Sequence, residues 1–203
     1  MKRFRFTLLA VCMLLLWLGW NDLSLLLHNP EPQVITLDQL TRNGPPREWL
    51  RVTGGYEDLA EAISTSGSLE LEAFLVPLKS APADPTFQVL VETRDPRIID
   101  LLQTYYFKLD SPAAQEQFRA EHRQDFNGRR DVTGMVVGGL VASGNRDKLM
   151  SLARQLGMEV PENVIFISEG KEPASWRGFI FVALALAGLV KFALMWKQKP
   201  AAT

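Results

Sequence analysis

Nineteen consecutive residues near one end of the chain, 178–196 (GFIFVALALAGLVKFALMW), carry a single charge, Lys191. At ~1.5 Å of rise per residue, a helix over this run is roughly 28 Å long, close to the ~30 Å hydrocarbon core of a bilayer. The run predicts a transmembrane helix. Trp176 and Arg177 mark its outer interface, and Lys197 and Lys199 follow Trp196 at the other. Lys191 stands about five residues, roughly 8 Å, before Trp196, within reach of a snorkelling lysine stem, so it is read as an anchor and not as part of an ion path.

The other end repeats the pattern. Lys2, Arg3 and Arg5 precede residues 6–20 (FTLLAVCMLLLWLGW), and 23–27 extend the apolar run past Asn21 and Asp22, which are placed in the headgroup zone. A basic start before an apolar core also describes a cleavable signal peptide, but no small-x-small triplet follows, and Trp17 and Trp20 stand where interfacial anchors lie. Leu9-Ala10-Val11-Cys12 only loosely resembles a lipoprotein cleavage box, because the apolar run before Cys12 is too short and the one after it too long. The expectation is an uncleaved signal anchor at 1–27, a domain at 28–175, a second span at 176–199 and a tail at 200–203. Basic residues flank the far ends of both spans, so the positive-inside rule puts both termini in the cytoplasm and the domain outside it. A domain without cysteine or an N-x-S/T sequon fits a bacterial periplasm, and hence an inner-membrane protein.

Between 28 and 175 the chain holds 22 Asp plus Glu and 15 Lys plus Arg, a net charge of −7. That balance excludes a basic nucleic-acid footprint. The only cysteine, Cys12, lies in the first apolar run, so neither an intramolecular disulfide nor a site built on several thiolates is available.

Element signals in the middle are short and mixed. A strand at 33–35 leads to a helical turn capped by Thr36, and Asn43-Gly44-Pro45-Pro46 ends it. Residues 49–53 alternate as a strand and close on Gly54-Gly55; 57–63 reads as irregular helix or continued strand. Residues 68–78 are the clearest strand, with Leu69, Leu71, Ala73 and Leu75 on one face and a stop at Pro77. Residues 87–92 form a second strand, antiparallel to it across the loop 80–85. Asp95-Pro96 and Ser111-Pro112 open two helices, the second running to about Asp125, and Asn145 opens a third that Gly157 ends. The run 131–142 is β-rich, and its glycines Gly134, Gly138 and Gly139 imply a bulge, a tight corner or a close backbone approach. A last strand covers 163–167. The predicted fold is α+β: a small mixed sheet or OB-like partial barrel with two to three helices, flanked by an N-terminal and a C-terminal transmembrane helix. A split α/β sandwich is the alternative.

Signatures of chemistry are sparse. His28 sits at the membrane boundary. His122 has Glu121 and Asp125 nearby but no second histidine in the same domain, so solvated charge outweighs a metal or acid–base role. Ser168-Glu169-Gly170-Lys171 has S-x-x-K spacing, yet Gly170 and Pro173 disfavour the helix that such a pair requires. Glu92, Asp95, Asp100 and Asp131 are candidate paired carboxylates, with Asp95 already serving as a helix cap. Arg129-Arg130 reads as a solvated turn before a partner or headgroup contact. Ala183 and Ala187 make a small-xxx-small pair facing either the first helix or another subunit. No catalytic, cofactor or metal residue is assigned.

Two spans enclosing one extracytoplasmic mixed α/β domain resemble the layout of Surf-type cytochrome oxidase assembly proteins, and of the beside-a-membrane module of some organellar ubiquitin ligases. The resemblance covers topology alone; neither the tryptophan-and-arginine segments of the former nor the RING of the latter is present. The expected function is a noncatalytic membrane protein whose outer domain binds or scaffolds another protein, as an assembly or envelope-maintenance factor. The alternatives are a membrane-tethered enzyme and a sensor or transport accessory subunit. The expected partners are the lipid bilayer, a membrane or periplasmic protein, and a second copy of the chain.

Overall fold

The two apolar ends each form one long helix, α1 (Lys2–His28) and α7 (Arg177–Lys197). Both are long and apolar enough to cross a membrane, with mean hydropathy reaching 1.7 within Phe6–His28 and 2.3 within Arg177–Met195. The computed structural model describes residues 2–64, 73–137, 143–155, 157–174 and 176–197. The chain divides into two units, one of Met1–Pro30 with Pro173–Thr203 and one of Glu31–Glu172.

In the first unit small residues let the helices approach closely. A Cβ on Gly19 would stand 3.0 Å from the Gly178 carbonyl oxygen, and one on Gly188 would run into Cys12 Sγ. Arg177 grips Asp22 with both arms, Nε donating to Oδ2 at 2.8 Å and Nη2 to Oδ1 at 2.9 Å. Asp22 meets Arg177, Gly19 meets Val182 and Cys12 meets Gly188, so the helices are antiparallel. The small residue buried midway along α7 is Ala185, whereas Ala183 and Ala187 are exposed and do not form the α1 contact. Lys191 is exposed as well. His28 closes α1, with its Nδ1 2.7 Å from the Ser24 carbonyl oxygen.

The second unit is a mixed α+β domain built on a small closed five-stranded barrel. Its strands are β2 (Trp49–Glu57), β4 (Phe74–Lys79), β5 (Val89–Thr93), β6 (Arg129–Val136) and β7 (Ile165–Glu169). The order around the barrel is β2-β6-β7-β5-β4 and back to β2; only β5 and β7 run parallel. Closure rests on two register pairs, Tyr56 with Lys79 and Glu57 with Leu78. The short strands β1 (Gln33–Thr36) and β3 (Ile63–Ser64) add to β2 and β4. Period-2 alternation sends Leu50, Val52, Leu78, Val89, Val91, Val132 and Ile167 into one apolar interior, where Leu37 and Leu40 of α2 (Leu37–Asn43) join them. α3 (Pro96–Gln103) and α5 (Arg123–Phe126) pack Ile98, Leu102 and Phe126 against Phe74 and Val76. α6 (Ser143–Gln155) covers Leu75, Leu90 and Phe166 with Met150 and Ala153.

Five α-helices lie between the two end helices among the described residues, more than the expected two or three. Thr36 starts a helix and not a single turn, because Gln39 N–H donates to Thr36 Oγ1 while the Gln39 side chain accepts from the Thr36 N–H. Replacing Thr36 with alanine is expected to cost about 1 kcal/mol in chemical denaturation. The helix expected from Ser111 to about Asp125 breaks at His122 (φ −103°, ψ 28°) into α4 (Pro112–Glu121) and α5. The helix expected to open at Asn145 already starts at Ser143.

Two strand limits also move. β2 does not close on Gly54-Gly55 but runs through them: three steps on β2 (Val52 to Gly55) face two on β6 (Val132 to Arg130), which is a bulge, and Gly54 takes φ +83° there. β4 passes Pro77 to Lys79. The Pro77 carbonyl accepts from Asp58 N–H on the side where β2 ends, so the missing proline N–H costs no ladder bond. Residues 68–72 of the expected strand, and Gly138 and Gly139, lie outside the described residues.

Candidate functional site

Four chain segments bring charge to one mouth of the barrel. Leu50 and Val52 of β2 face inward, and without the bulge the next inward positions would be 54 and 56. The extra residue moves the phase to Gly55 and Glu57, leaving Glu57 with only 3% of its side chain exposed. On β6 the inward set is Arg130, Val132 and Gly134; on β7 it is Ile165, Ile167 and Glu169. Asp95, the N-cap of α3, completes the group.

Arg130 is the hub. Its Nη1 donates to Glu57 Oε2 at 2.9 Å, and its Nη2 donates to Glu169 Oε1 at 2.8 Å and to Asp95 Oδ2 at 3.1 Å. The other oxygen of Asp95 caps α3 by accepting from Arg97 N–H at 2.9 Å. Glu57 Oε1 and Glu169 Oε2 are buried and accept no hydrogen bond. Three carboxylates thus share one guanidinium, an arrangement short of positive charge by two. Burial, aided by the Glu169 and Asp95 charges and opposed by Arg130, raises the Glu57 carboxyl to about 7. Burial lowers the Arg130 pKa, but the surrounding carboxylates outweigh it and leave the guanidinium above its ordinary value.

The sign of the resulting pH dependence is set by the direction of the Glu57 shift. A carboxyl raised in the folded state binds more protons there than in the unfolded chain, so its contribution to stability is lost as pH rises from about 4.5 to about 7. Going from about pH 5 to about pH 8 is expected to lower domain stability by roughly 2–3 kcal/mol through this group. Glu57→Gln should flatten that part of the profile in denaturation followed across pH.

Asp95 lines two clefts. One of about 510 Å³ is also lined by Glu92, Arg94, Ser168, Glu169 and Lys171. The other, about 500 Å³, is lined by Glu57, Arg130, Arg129, Arg97, His122 and Asp125 among others. In the first, Ser168 Oγ donates to Glu92 Oε2, and Arg94 Nη2 donates to Glu92 Oε1 at 2.9 Å. Ser168 lies on a strand, and the chain turns at Gly170 (φ +71°) before Lys171, so the S-x-x-K spacing does not sit on a helix.

Of the four carboxylates singled out in sequence, the structure brings Asp95 and Glu92 to adjoining parts of the mouth. Asp131 instead pairs with Arg51 at 3.0 Å, and Asp100 lies 3.7 Å from Lys108. His122 stacks on Phe118 with centroids 4.4 Å apart, and its Nδ1 lies 3.2 Å from Asp125 Oδ2. Arg129 and Arg130 are the first residues of a strand and not a solvated turn. Glu57 and Glu169 are functional candidates that sequence reasoning missed. A separate triad holds the buried Lys79 between Asp58 Oδ2 (2.8 Å) and the half-exposed Glu61 Oε1 (2.9 Å), fastening the 3-10 turn Leu59–Glu61 to β4. Among the described residues, no group of three or more His, Cys, Asp and Glu side chains is placed to hold a metal ion.

No family model, no curated protein and no solved structure matches the chain.

Proposed function

We propose that this chain is an integral membrane protein of two spans whose barrel domain, OB-like in style, lies outside the cytoplasm and binds or scaffolds another protein, as an assembly or envelope-maintenance factor. One observation carries the membrane part. The antiparallel pair α1/α7 buries little beyond a single stripe and leaves Met13, Leu14, Trp17, Phe179, Leu184, Val190 and Leu194 each more than half exposed. An apolar surface of that kind belongs in lipid. The basic residues at the start of α1 and the end of α7 then fall on one side, which the charge rule makes cytoplasmic. A bacterial inner membrane and a periplasmic domain fit the cysteine-free, acidic middle of the chain.

The OB-like assignment draws on the barrel's connectivity, with three sequential antiparallel strands, helices between the third and fourth, and a fifth strand parallel to the third. A net charge of −7 between 28 and 175 turns that surface toward proteins and away from nucleic acid. Reporter fusions at both ends and within 81–85 test the topology: the ends should be active only with cytoplasmic reporters and the loop only with exported ones. The reverse pattern removes the proposal. Purification in mild detergent tests the scaffold role, and an intact monomer with nothing bound in stoichiometric amount counts against it.

A second reading, a membrane-tethered enzyme, draws on a carboxyl that titrates near neutrality in a cleft. Ser168→Ala and Lys171→Ala variants that fully rescue a deletion phenotype, together with a fully active Glu57→Gln, would remove it.

A further inference from the structure

We propose that the Glu57–Arg130–Asp95–Glu169 cluster is a proton-operated latch, in which a protonated Glu57 keeps the N-terminus of α3 fastened to the barrel mouth and deprotonation releases it. The geometry supplies each part. Within this cluster Arg130 links β2, β7 and the α3 cap by hydrogen bonds, and it is shared three ways. Glu57 Oε1 is buried and without a hydrogen-bond partner, so a proton can reside there without displacing anything. With that proton in place two carboxylates face one guanidinium; without it three do.

Relief of the added charge falls on the weakest arm. Asp95 has the most exposed of the three carboxylates (24%, against 3% for Glu57 and 12% for Glu169) and the longest bond to Arg130. Its Oδ1 is already committed to Arg97 N–H, and the Arg97 Nε stands 3.9 Å away on the solvent side. Asp95 therefore has somewhere to go when it leaves Arg130. Because Asp95 lines both clefts, its departure joins them into one groove along the barrel mouth.

The charged groups packed about Glu57 are Arg130 on β6, Glu169 on β7 and Asp95 at the start of α3. Arg129, Arg97, His122 and Asp125 line the same cleft. Burial, with the two carboxylates, lifts Glu57 into the neutral range, where a change of compartment pH alters its charge. The latch does not depend on which partner the domain binds.

Hydrogen exchange on the full chain in lipid nanodiscs tests it, with rates corrected for intrinsic pH dependence. Between about pH 6 and about pH 8, amides of the first turn of α3 should lose at least about tenfold in protection, while those of α4 stay constant. In Glu57→Gln the protection should stay high throughout, and in His122→Gln the wild-type transition should persist. If Glu57→Gln does not fold, Asp95→Asn serves instead. Removing one neighbouring negative charge should shift the titration of Glu57, read by NMR of its carboxyl carbon, to lower pH. Constant α3 protection in the wild type, a transition that survives Glu57→Gln or vanishes with His122→Gln, or an unmoved midpoint in Asp95→Asn overturns the latch.

Discussion

Replacing Gly134 with alanine is expected to destabilise the barrel domain severely. The new Cβ would run into the Ser168 carbonyl oxygen and stand 2.8 Å from its carbon, both backbone atoms. No rotamer change relieves such a contact. Gly134 is paired with Leu50 of β2 on one side and with Glu169 of β7 on the other, so β6 cannot retreat without opening one of two ladders. A barrel whose β2–β4 seam holds only two register pairs has little closure to spare. The cost should be about 3 kcal/mol or more, a large part of the ~5–15 kcal/mol that stabilises a typical domain. Far-UV circular dichroism and limited proteolysis of the detergent-solubilised chain would report it. Thr133→Ala, one position away on the outward face, should change stability by less than about 1 kcal/mol.

Arg130→Met should be nearly as damaging, for an electrostatic reason. The substitution preserves apolar bulk but strands Glu57 and Glu169 without their cation and leaves Asp95 only the exposed Arg97, and removing one partner from a buried ion network costs about 3–5 kcal/mol. The loss should depend on pH in a way a packing defect does not: greatest near pH 8 and smaller near pH 5, where Glu57 takes up a proton. Adding Glu57→Gln to Arg130→Met should recover part of the stability, whereas independent defects would add. Arg130→Lys should fall between, because one ammonium lacks the planar fork by which Arg130 reaches Glu57 on one arm and Asp95 and Glu169 on the other. Denaturant melts at the two pH values distinguish these outcomes.

Features of the fold that are written locally can be read from the sequence. The apolar runs at both ends form α1 and α7, and Asp95-Pro96 and Ser111-Pro112 open α3 and α4 with their side chains accepting from Arg97 and Ala114 N–H. The antiparallel pairing of β4 with β5 reflects a short loop between two strands. The features that escape a sequence reading depend on distant parts of the chain. Nothing near Tyr56 or Lys79 signals that those two residues close a barrel. Asp95 is legible as a cap, but its second oxygen bonds a residue 35 positions away. Arg130 resembles part of a solvated pair because two arginines and an aspartate in a row hide the strand they begin. The signal lies in the parity of that strand, since Arg130, Val132, Gly134 and Val136 share one face.

Glu57 is hidden for a different reason, and it lies in the bulge of β2. A strand assigns its side chains by odd and even position, and Gly54 adds one to the count. Upstream of it even-numbered residues enter the core; downstream odd-numbered ones do. Pairing Gly54 regularly, without the bulge, would therefore do more than straighten a strand. It would put Tyr56 in place of Glu57 in the barrel wall and leave Arg130 with two carboxylates instead of three. The bulge at a residue with no side chain thus decides whether Glu57 or Tyr56 enters this barrel.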